Sequence, residues 1–171
     1  MARRAFRLLV LTVAGLLGVG QAPSSAQDDE IAALAAALKD VNFTLQDGLR
    51  AGEREGQPIS AQFEIDDGKL QVSVYTAKEE DFTEVTADPK TATVVKAEKI
   101  TDDDELSDAA DQKAAMAKAK ISLIAAVDAA VKDNGGFRAV AIFPDLRDGH
   151  AIAEITLLQG TATKRATQRL D

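Results

Sequence analysis

The chain has 171 residues, a formal charge of −8 and no cysteine. That length allows one large or two small domains with a real core. The missing thiols exclude a disulfide framework, thiol catalysis and cysteine-ligated metal, and the acidic balance disfavours nucleic acid and anionic membrane surfaces, since both are polyanions.

At the N-terminus, Arg3, Arg4 and Arg7 precede an uncharged run over 8–19, and Ser24-Ser25-Ala26 close the segment with small residues. This order is that of a secretory signal, expected to be cut after Ala26. The apolar run of 12 residues is too short to cross a hydrocarbon core as a helix. No stable membrane anchor is expected after cleavage, and the mature chain is expected in the periplasm or outside the cell. Arg3-Arg4 also fits a twin-arginine signal, so the export route stays open. Cleavage removes three cations and no acid, which takes the formal charge to −11.

Residues 29–55 carry Ile31, Leu34, Leu38, Val41, Leu45 and Leu49 along one face of a helix. Asp28 or Asp29 can cap it. Gly48 and Gly52 lie on or beside that stripe, where glycine weakens a helix by about 1 kcal/mol. Close approach of the helix to a sheet would account for them; the alternative is a helix that breaks near Gly48. Gly56 and Pro58 then stop the helix.

The next stretch is the most legible. Two alternating runs, 59–65 and 69–76, flank Asp66-Asp67-Gly68. Asp-Gly between alternating strands is a strong hairpin signal. Counting outward from Asp67-Gly68 pairs Ile65 with Leu70, Phe63 with Val72, Ala61 with Val74 and Ile59 with Thr76 on an apolar face. The polar face pairs Asp66 with Lys69, Glu64 with Gln71, Gln62 with Ser73 and Ser60 with Tyr75. A one-residue slip would destroy both faces, so the register is well specified.

Strands are expected at 82–87 and 93–99 around an Asp88-Pro89-Lys90-Thr91 turn. Residues 101–108 are charge-dense and read as an acidic linker or helix start. They lack the D-x-D-x-D-G spacing of a calcium loop. An alanine-rich helix is expected over 109–133, ended by Asn134-Gly135-Gly136. Strands 137–143 and 151–158 flank a second Asp-Gly turn at Asp148-Gly149, and 161–171 reads as a final strand.

A shift of about 80 residues lays one half on the other. Gly56 falls on Gly136, Phe63 on Phe143 and, past one inserted residue, Asp67-Gly68 on Asp148-Gly149. A bulge near Pro144 would absorb the insertion, pairing Phe143 with Ala153, Ala141 with Ile155 and Ala139 with Leu157. The expected fold is α+β: a signal at 1–26, a first helix-on-antiparallel-sheet unit at 27–100, an acidic linker at 101–108 and a second unit at 109–171.

No catalytic or metal constellation is legible. The one histidine, His150, follows a hairpin turn with no readable partner. Acidic pairs such as Asp66-Asp67 and Asp102-Asp103 fall in turns or linkers. A non-enzyme without cofactor is expected. Tyr75, on the polar face with Ser73, Gln71 and Ser60, is the candidate partner-binding residue, expected to be exposed.

The order of helix, first hairpin and Val85-Thr-Ala-Asp88-Pro-Lys-Thr91 resembles a PepSY domain. In that family's usual D-x-x-T-G turn a glycine stands where this chain has Ala92. Leu45-Gln-Asp-Gly-Leu49 and the second unit resemble a tandem PepSY arrangement. The resemblance implies an exported helix-and-sheet module that binds a protein or peptide and, in some members, restrains a peptidase. No peptidase follows Asp171, so action in trans is expected. The alternative expectation is a small-ligand or cation carrier.

Overall fold

A computed structural model describes residues 25–171. The signal segment lies outside them, apart from the expected cleavage point in the first turn of α1 (Ser25–Leu38). The other elements are α2 (Leu45–Gly52), β1 (Gln57–Asp66), β2 (Lys69–Lys78), β3 (Asp81–Asp88), β4 (Thr93–Lys99), α3 (Asp103–Met116), α4 (Leu123–Asp133), β5 (Arg138–Arg147), β6 (His150–Gln159) and β7 (Ala162–Arg169). The fold is α+β, with one seven-stranded antiparallel sheet in the order β4-β3-β2-β1-β5-β6-β7. Ala61 pairs with Ile142 and Gln62 with Ala141, so the strands of both halves form a single sheet.

Each long helix expected from periodicity is two helices. The 29–55 helix ends at Leu38 and restarts at Leu45, because Thr44 and Asp47 form a reciprocal capping box. The break is therefore upstream, and α2 runs on through Gly48. The 109–133 helix divides at 117–122, where Ser122 Oγ accepts from Ala125 N to begin α4. Residues 103–108 are not a linker but the first turns of α3. Asp102 caps them by accepting from the amides of Asp104 and Glu105, and the acids that follow suit the helix dipole.

The first hairpin keeps its expected register from Asp66–Lys69 to Ser60–Tyr75. Asp67 (φ 48°) and Gly68 (φ 74°) are both left-handed, as a type I′ turn requires. Beyond Ser60 the expectation fails: Ile59 is an extra, bulged residue, and Thr76 faces Pro58 instead. In the second hairpin the bulge is at Val140, not near Pro144. Phe143 therefore pairs with Glu154 and Ala141 with Thr156, while Ala139 meets Leu157 as expected. Both bulges stand at the same distance before their Asp-Gly turns, Ile59 before Asp67 and Val140 before Asp148.

Helices α2 and α4 lie side by side on one sheet face, joined by Gln46 Nε2 donating to Asp128 Oδ1 at 2.9 Å. The glycines of α2 set its closeness to the sheet. A Cβ on Gly48 would stand 2.6 Å from Val72 Cγ1, and one on Gly52 2.6 Å from Val74 Cγ1. Helix α3 packs against β5, β1, β6 and β2. Arg138 ties the halves together: its guanidinium donates to the carbonyls of Leu38 and Val41 (both 3.1 Å) and Phe43 (2.8 Å), over the ring of Phe63. Burial holds that guanidinium below its ordinary pKa.

Two substitutions test this packing in opposite directions. Gly52→Ala raises helix propensity but forces a methyl into Val74, so unfolding in urea should show a loss of about 1–3 kcal/mol. Ala92 stands at φ 55°, a left-handed conformation that favours glycine. Ala92→Gly should therefore stabilise the chain, by about 1 kcal/mol.

Candidate functional site

The polar face of the first hairpin is the most chemically dense part of the described structure. Alternation puts Ser60, Gln62 and Glu64 of β1 on one side, opposite Tyr75, Ser73 and Gln71 of β2. Strand β3 extends the row by placing Glu84 opposite Tyr75 and Thr86 opposite Ser73. Glu105, in the first turn of α3, comes close enough to Glu84 for their charges to interact, which places the start of α3 at this face.

This face is not exposed as the sequence suggested. Tyr75 retains 6% of its accessible surface, and Ser60 and Ser73 retain none. Gln71 is half-buried. The reason is topological: β1 and β2 lie inside a sheet with helices packed against it, so even their polar side chains are interior. Tyr75 as an exposed anchor is thus corrected.

The structure brings Ser73 and Gln71 together around a residue that the sequence did not single out. Glu64 Oε1 accepts from Gln71 Nε2 at 2.7 Å and from Ser73 Oγ at 2.6 Å, and Glu64 Oε2 accepts from Gln62 Nε2 at 3.3 Å. Ser73 Oγ also lies 2.8 Å from Glu84 Oε1. Ser60 Oγ and Gln62 Oε1 are buried without a hydrogen-bond partner. Glu64 and Gln62 were readable from the register as members of this face; Glu84 depended on the β2–β3 register, which no turn signal fixed.

His150 has partners after all. Its Nδ1 lies 2.9 Å from Asp171 Oδ2 and 2.6 Å from Arg169 Nη2, and Arg169 Nε donates to Asp171 Oδ1 at 2.8 Å. The hydrogen bond from His150, then that from Arg169, holds the Asp171 carboxyl down at about 2. This is a partly exposed cluster of polar and charged side chains at the end of β7. Among the described residues, no group of three or more His, Asp or Glu side chains is arranged to hold a metal ion, and no helix is long and apolar enough to cross a membrane.

Two grooves remain. One, of about 310 Å³, lies between α2, the start of β1 and the α3–α4 junction, floored by Leu49, Pro58, Met116 and Leu123. The other, of about 560 Å³, lies between Asp40–Phe43 and the β3–β4 turn at Pro89 and Lys90.

No family model matches the chain, and no curated protein matches it. A solved structure described as a "putative lipoprotein" from Clostridium difficile 630 aligns with 77% of this chain and 97% of its own, at 15% identity and a TM-score of 0.40. A likeness that loose carries no argument about fold or function.

The Asp171 cluster gives a pH prediction with a defined sign. The carboxyl is lowered from 3.8 to about 2 on folding, so its contribution to stability is complete above 3.8 and is lost as pH falls through about 2. His150→Ala should raise the Asp171 pKa toward 3.8, read by carbon NMR of the carboxyl during acid titration. An unchanged midpoint would show that His150 does not hold it.

Proposed function

We propose that the chain is an exported, non-catalytic, PepSY-like binding module of the periplasm or extracellular space that takes an extended peptide or protein segment along β4. The observation that carries this reading is the state of that edge. Among the described residues β4 pairs only with β3, six of its seven residues are exposed, and Val94 and Val95 keep 43% and 60% of their surface. An open strand with exposed valines offers backbone hydrogen bonds for affinity and side-chain contacts for choice. The opposite edge, β7, carries Lys164, Arg165 and Arg169, charges that discourage strand pairing. On β4 the two lysines are paired with acids, Lys96 with Glu98 and Lys99 with Asp81, as are Arg165 with Glu154 and Arg169 with Asp171 on β7, so the exposed valines are what distinguish the β4 edge.

Two details support the PepSY-like reading. Ala92, where the family's turn pattern has glycine, adopts the left-handed conformation that glycine suits. The matched bulges and Asp-Gly turns of the two hairpins are what tandem units would produce. Restraint of a peptidase is one activity that such a module would exert; capture of another protein or peptide is the other.

The test is binding of extended peptides with amide readout by NMR. Wild type should retain a subset of peptides, with slowed exchange at the β4 amides; Val94→Asp with Val95→Lys should abolish retention while leaving the fold intact. Binding that survives the double substitution, or that protects β7 instead, would overturn the assignment to β4.

A further inference from the structure

The backbone of the β4 edge follows a fixed alternation. Ile100 N donates to Phe82 O at 2.9 Å, and in the same register Glu98 faces Glu84 and Lys96 faces Thr86. Bonded and unbonded pairs alternate along an antiparallel ladder. Ile100, Glu98 and Lys96 therefore direct their backbone groups toward β3, while Ala97 and Lys99 turn theirs to the other side. Among the described residues no strand is paired to that side. Val95 is the extra residue between the pairs Ala87–Val94 and Thr86–Lys96, and the bend at this bulge limits regular outer pairing to 95–99.

The side chains of that stretch are complementary to themselves. Lys96 and Glu98 stand on one face of the sheet, on either side of Ala97, partly exposed and paired with one another. Antiparallel pairing of two copies about a two-fold axis at Ala97 sets Lys96 of each opposite Glu98 of the other. It also sets Val95 opposite Lys99, whose aliphatic stem can cover the valine. The Lys–Glu positions are then the unbonded pairs of the new ladder, where Cα atoms come closest, at about 4.5 Å. Moving the axis by one residue sets Lys96 against Lys96 or Glu98 against Glu98, and parallel pairing in register does both. Charge selects one arrangement. The β7 edge has no such symmetry, since Ala162–Arg169 contains three cations and no acid.

We propose that β4 pairs with β4 of a second copy, forming a reversible two-fold dimer whose sheet is continuous across both chains and which competes with capture of other peptides. This rests on the reading of β4 as an open, strand-accepting edge, and it names a partner and a regulation for that edge. A two-fold contact of this kind closes on itself and leaves each β7 free. Strands paired only over 95–99 bury less than the ~1,200 Å² of a stable interface, so half-association is expected at roughly 0.1–1 mM. Below that range β4 is free for a peptide; above it the edge is occupied by its own kind.

The test is sedimentation of the purified protein from about 10 µM to about 1 mM, with folding checked by circular dichroism. Wild type should pass from monomer to dimer and associate less tightly at high salt. Lys96→Glu and Glu98→Lys should each weaken association at least about tenfold, by opposing like charges. An equimolar mixture of the two variants should restore it, because the acids of one then face the lysines of the other. The proposal is overturned if wild type stays monomeric, if the variants associate as wild type does, or if the mixture does no better than its components. Species larger than a dimer, which β4–β7 pairing would produce, overturn it as well. Peptide retention is read at about 10 µM, where the chain is monomeric. A monomeric wild type that still retains peptides therefore overturns the second-copy assignment alone. Dimerisation without peptide retention supports that assignment and overturns the capture of foreign peptides.

Discussion

The structure depends on β1 having neighbours on every side. Asp67-Gly68 fix it against β2, Ala61 and Gln62 join it to β5, and α2 and α3 pack against it. Over 59–63 a strand in that position has both sides buried, so its period-two alternation there sorts apolar from polar contacts within the interior. Ala61 and Phe63 are therefore buried toward the apolar core, while Ser60 and Gln62 are buried among other polar groups. The energetic consequence is asymmetric: the apolar side stabilises by burial, and the polar side stabilises only as far as its hydrogen bonds are complete.

That constraint links the fold to the chemistry on the polar face. Glu64 collects donors from Gln71, Ser73 and Gln62 because the register sets these side chains on neighbouring strands. Glu84 enters from β3, and α3 carries Glu105 within electrostatic reach of it. The result is a nearly closed polar layer within the protein, while the sheet's outermost strands stay open to solvent.

The sequence was most legible where local chemistry and tertiary context agree. Both Asp-Gly turns, the span of β4, and the role of Gly48 and Gly52 in close helix–sheet approach were all readable from residue type and spacing. It was misleading where a short-range signal was outvoted by another nearby. Apolar periodicity runs unbroken from Ile31 to Leu49, but the Thr44–Asp47 capping box restarts the helix within it. Pro144 attracted the bulge in β5, although Val140 supplies the extra residue. Tyr75 looked exposed because its own hairpin has a polar face; that helices pack against this face as well is a property of the whole chain. Glu84 and Glu105 come from elements far apart in sequence, and no motif joins them.

Backbone amide hydrogen exchange distinguishes a closed interior of β1, β2 and β5 from an open edge at β4. Amides of 60–64, 72–75 and 141–142 should exchange only through global unfolding, and the outward-facing amides of 93–97 should exchange orders of magnitude faster. Fast exchange at Gln62 or Ile142 would mean that the halves do not share a sheet. Protection along 93–97 equal to that of β1 would mean that the proposed edge is already covered.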